Sequence, residues 1–189
     1  MLIESIISLV IATAGGLAPA QTNPPAGTFP TQVGKFSLKR GPEHDRYHFV
    51  INPVDSWAGY YELAHNNTNS IGVQYILMIF SSPDEARQAL KLYIDLNVAG
   101  RWEKGYRARI VQQGNRPQKP KEKYVVLDFY FTVEGAEPRL DSTAALWTDG
   151  SMLIRVESAR SADPQQERFE QENGLKEAAP IKFMNNYPD

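Results

Sequence analysis

Val73–Phe80, VQYILMIF, runs directly into Ser81–Gly100, SSPDEARQALKLYIDLNVAG, and this junction decides the fold class of the chain. The first stretch is almost continuously apolar, as expected of a central strand covered on both faces. The second changes period. Ser82 is an N-cap, Pro83 stands at N1, Glu85 completes a capping box and Gly100 follows the end, which predicts a helix from Pro83 to about Val98. Ala86, Ala89, Leu90, Tyr93 and Asn97 share one side of it, while Leu92, Ile94 and Leu96 widen the apolar surface. A helix of that kind packs on a sheet and is touched from its flank as well.

Around this unit the pattern is strand-rich. Strands are expected at Lys35–Leu38, Tyr47–Ile51, Gly59–Leu63, Gly72–Phe80, Tyr106–Gln112, Tyr124–Thr132, Thr143–Trp147 and Met152–Ser158. Tyr124–Thr132 alternates, with Val125, Leu127, Phe129 and Phe131 on one face and Val126, Asp128, Tyr130 and Thr132 on the other. Asp149-Gly150 is a hairpin turn joining the last two strands. Gly114–Lys123 and Glu134–Asp141 read as long hairpin loops, and a polar helix is expected within Asp163–Ala179, stopped by Pro180. The sum is an α+β domain with a largely antiparallel sheet flanked by helices. Its core should include Ile76, Met78, Phe80, Leu90, Leu127 and Phe129.

The chain has 189 residues, 42% of them apolar, a net charge of -2 and no cysteine. That composition supports a real core and excludes disulfides, thiol catalysis, cysteine-ligated zinc and a lipidated cysteine. An apolar run over Ile6–Ala12, too short to span a bilayer, leads to Ala18-Pro19-Ala20, the A-x-A pattern of a secretory cleavage site, although no basic residue precedes Lys35. The expected division is therefore a signal peptide over 1–20, a linker over 21–33 rich in Pro and Gly, and a single domain over 34–189. The expected location is the periplasm or the exterior.

Catalytic and cofactor motifs are absent: there is no G-x-S-x-G, H-E-x-x-H, G-x-x-x-x-G-K-[ST] or G-x-G-x-x-G. His44 and His48 stand four apart with Asp45 between them, and His65 follows, but the flanking sequence is extended, so the two rings diverge and no metal site is expected. Asp128 is a lone carboxylate in VVLDFYF that faces solvent or an arginine across the sheet. Asn66-Asn67-Thr68 is a formal glycosylation sequon, meaningful only in a eukaryotic secretory pathway.

The most polarised stretch is Arg101–Lys123. Arg101, Lys104, Arg107, Arg109, Arg116, Lys119, Lys121 and Lys123 stand against Glu103 and Glu122, with Trp102, Tyr106 and Tyr124 interleaved. Alternation puts Arg107 and Arg109 on one face of a strand, with Ala108 and Ile110 turned inward. Arg116, Lys119 and Lys121 extend that face along a loop and Trp102 borders it. These residues are the candidate surface for an anionic membrane or an acidic protein, and export disfavours nucleic acid. The opposing reading is a solvated face neutralised by Glu167, Glu170 and Glu172.

Three segments, FVINPVDSW (Phe49–Trp57), SSPDEA (Ser81–Ala86) after a hydrophobic strand, and DGSMLIRV (Asp149–Val156), followed by a closing helix ending in IKF (Ile181–Phe183), together resemble the PsbP-like family. Its members include the extrinsic P protein of the photosynthetic oxygen-evolving complex and a small Ran-binding nuclear import factor. The resemblance implies an α/β/α sandwich and a non-enzymatic role in assembly or binding, and carries over no functional residue. The leading expectation is an exported, non-catalytic binding or assembly module without cofactor. The alternatives are a small hydrolase using Asp128 and a histidine, or a cytosolic protein binding an acidic partner or RNA through its basic segment.

Overall fold

The computed structural model describes residues 23–45, 52–64, 70–99, 106–116, 119–132, 137–158 and 164–188. Eight strands form one antiparallel sheet: β1 (Gln32–Val33), β2 (Phe36–His44), β3 (Asp55–Ala64), β4 (Ser70–Ile79), β5 (Tyr106–Asn115), β6 (Lys123–Phe131), β7 (Arg139–Asp149) and β8 (Met152–Ser158). Their order across the sheet is β1-β2-β3-β4-β8-β7-β6-β5. The apolar stretch at Val73–Phe80 is central, paired with β3 on one side and β8 on the other. The expected strand Tyr47–Ile51 and the expected signal peptide over 1–20 lie outside the described residues, as do His48 and His65.

Helix α1 (Pro83–Val98) begins as its sequence dictates. Ser82 Oγ accepts from the Glu85 amide at 3.2 Å, while the Glu85 carboxylate reaches back to the Ser81 amide at 3.1 Å, one residue before the N-cap. Ala86, Ala89, Leu90, Tyr93 and Asn97 are its buried residues, the expected inner side. They meet Ile76, Met78, Phe80, Val125, Leu127, Ala144, Leu146 and Leu153 on one face of the sheet. The flank is less covered than expected, with Leu92 exposed. Phe129 is only half-buried, because it lies near the sheet edge opposite Ala108.

The other face carries Trp57, Tyr61, Val73, Tyr75, Leu77, Val126, Trp147, Ile154 and Val156, closed by Phe183, Met184 and Tyr187. The expected single C-terminal helix is two: α2 (Pro164–Glu172) and α3 (Leu175–Asn186). Pro180 does not stop the helix but lies inside α3, giving up one amide bond. That loss, about 3 kcal/mol in a helix interior, is outweighed by three buried apolar side chains further along, each contributing about 1.5–3 kcal/mol. One helix face on each side of the sheet makes an α/β/α sandwich. Packing also starts earlier than the expected linker allows: Thr28 and Val33 are buried, and Phe29 meets Tyr75 edge-on at 4.8 Å. No helix among the described residues is long and apolar enough to cross a membrane.

Candidate functional site

The basic segment is divided by the fold. Arg107 and Arg109 are exposed on β5, the outermost strand, and share a face because they pair in register with Tyr130 and Asp128. Ala108 turns toward the α1 side and is half-buried. Ile110, expected inside, is 38% exposed, since nothing described covers that edge. Arg101, Trp102 and Lys104 lie outside the described residues.

Arg116 departs most from expectation. It does not extend the exposed face; it is 1% exposed. Its guanidinium lies 5.3 Å from the Trp147 ring centre and its Nη1 donates to Glu122 Oε2 at 2.9 Å. The reason is the hairpin loop, which folds back on itself: the Arg116 amide donates to the Glu122 carbonyl at 2.8 Å, laying the long stem over the core. Lys119 is half-buried and bonds Asp149 at 3.0 Å, with Glu122 at 3.8 Å. Partial burial pushes the Glu122 carboxyl above its usual range, the Arg116 hydrogen bond pulling the other way. Of the described cations in this loop, Lys121 and Lys123 are the exposed ones.

They point beside a groove. Arg87, Leu90, Lys91, Ile94 and Asp95, at helical spacing, form one wall on α1. Gln113–Asn115 and Lys121–Val125 form the other, and Thr148 with Gly150 lies at the β7–β8 end. The volume is about 670 Å³, within the range of small-molecule sites. Leu90, Ile94 and Val125 supply apolar surface. Arg87, Lys91, Lys121 and Lys123 outnumber Asp95 and Glu122 around it. No salt bridge among the described residues reaches Lys91, Lys121 or Lys123. Arg87 and Lys91 were invisible as site residues in the sequence, where they read as the wet side of an amphipathic helix.

The remaining candidates have local partners. Asp128 is buried and does not face solvent: it accepts from Thr143 Oγ1 at 2.7 Å and Tyr130 Oη at 3.3 Å, with Arg109 Nη2 at 3.8 Å across the strand. His44 ends a strand, stacks on Trp57 at 3.7 Å and sits 3.3 Å from Asp55. No cluster of metal-ligating side chains occurs among the described residues. Comparison with protein-family models, curated proteins and solved structures finds no match to this chain.

Proposed function

We propose that the chain is a non-catalytic binding module that holds an anionic, partly apolar ligand in the groove between α1 and the β5–β6 hairpin. The observation that carries this reading is the pairing of an apolar floor with exposed lysines that have no carboxylate partner among the described residues. A concave apolar surface binds by burial, and unpaired cations at its rim select a negative group. The likeness to the PsbP-like family supports a binding or assembly role. Export is part of the proposal and rests on Ile6–Ala20. A hydrolytic role for Asp128 is less favoured, because both its oxygens are already engaged by Thr143 and Tyr130.

Anilinonaphthalene sulfonate, an anionic aromatic whose fluorescence rises in apolar surroundings, is a direct probe. The folded protein should bind it saturably, with affinity falling as salt is raised from low to physiological strength. The double substitution Lys91→Glu with Lys121→Glu should weaken binding at least tenfold while the melting temperature stays within a few degrees. Unchanged affinity in that variant rejects the groove as the site.

A further inference from the structure

The groove uses one end of β5; the other end is a separate surface. The strand closes the sheet order, and among the described residues nothing pairs with its outer edge. From Arg107 to Asn115 only Ala108 is less than exposed, and Ile110 and Val111 leave 38% and 42% of their surface in water. Val111 is the extra residue of a bulge: Ile110 pairs with Leu127 and Gln112 with Val126. Before the bulge Arg107 and Arg109 lie on one face. Arg109 rests on the Tyr130 ring at 5.4 Å, donates to its hydroxyl at 2.8 Å and lies 3.8 Å from Asp128, both residues of β6, so its cation is drawn inward over the sheet face and Arg107 is the one left facing solvent at the edge. Arg107 makes no ion pair among the described residues.

We propose that this edge accepts an extended acidic segment of another protein as a ninth strand. An unpaired edge offers a row of backbone donors and acceptors to any extended chain, so side chains must choose the partner. A strand with carboxylates at alternate positions would set them opposite Arg107 and Arg109, where facing residues approach within about 5 Å. Its intervening side chains would fall on the side of Ile110. The same arginines oppose a second copy of the chain, because antiparallel self-pairing about Ala108 would set Arg107 against Arg109. Charge thus favours an acidic strand and disfavours a homodimer in that register.

A fluorescent ten-residue peptide with glutamate at alternate positions and valine or threonine between them tests this by anisotropy and hydrogen exchange. Three results are expected: binding, slowed exchange of the 107–111 amides, and at least tenfold loss with Arg107→Glu, whose side chain has no described partner to disrupt. A peptide of the same composition in scrambled order should bind at least fivefold more weakly. Equal binding of the scramble, or unslowed exchange on β5, overturns the proposal, as does sedimentation showing the free protein dimeric through this edge. Lys91→Glu with Lys121→Glu should leave peptide binding intact, so failure of the groove reading and failure of this one are separable.

Discussion

Replacing Arg116 separates packing from charge in the hairpin loop. Arg116→Ala removes two buried methylenes, contributing about 0.8 kcal/mol each, a desolvated cation over an indole, contributing about 1–2 kcal/mol, and the charge-assisted hydrogen bond to Glu122, contributing about 1.5–3 kcal/mol. Two features moderate the loss. Glu122 is 20% exposed and keeps Lys119 at 3.8 Å, so it is not stranded. Nη2 of Arg116 is buried without a hydrogen-bond partner, and its removal relieves a cost of about 1–3 kcal/mol. The expected net destabilisation is about 2–4 kcal/mol, below the upper end for breaking a buried ion pair. Arg116→Met keeps a long apolar stem on Trp147 and strands no donor, so it should cost less than about 1 kcal/mol. Urea unfolding followed by tryptophan fluorescence reads both, since Trp147 is the ring beneath the cation. The alanine variant should lower the midpoint by about 1–2 M. Equal losses for Met and Ala would mean that the charge, not the stem, holds the loop. A loss below ~0.5 kcal/mol for Ala would mean that this side chain is not buried in the folded protein.

Two further outcomes bear on the sheet and its core. A Cβ on Gly72 would lie 1.9 Å from Tyr60 Oη and 2.4 Å from Cζ, so Gly72→Ala should cost about 1–3 kcal/mol. In a Tyr60→Ala background the same change should become neutral or slightly stabilising, and a double-mutant cycle without coupling would refute the contact. Burial raises the phenols of Tyr61, Tyr75 and Tyr187, and pushes Tyr93 up to about 12. A raised folded value means that stability is intact below pH 10 and declines as the unfolded chain ionises first, by about 2–3 kcal/mol for Tyr93 between pH 10 and 12. Phenolate absorbance should therefore appear in two stages, the second coinciding with loss of circular dichroism. All nine tyrosines titrating near pH 10 in a folded protein would contradict this.

What the sequence disclosed follows from the range of the interaction that decides each feature. The start of helix α1 is legible to the residue because Ser82, Pro83 and Glu85 act within one turn, and its buried side follows from spacing alone. Central β4 was legible because burial on both faces leaves a continuous apolar run. Pro180 was misread because a local rule favours termination, whereas Phe183, Met184 and Tyr187 are held by strands tens of residues away. Arg116 was misread for the same reason: a cation beside Pro117 in a loop reads as solvated until Trp147 and Glu122 are placed beneath and beside it. The groove is the extreme case. Its walls, Arg87–Asp95 and Gln113–Val125, are separate in sequence, and α1 meets β5 only because β5 is delivered to the far edge by β6, β7 and β8. Lys91 lines a groove only through that topology. Nothing in its own neighbourhood distinguishes it from any lysine on the wet side of a helix.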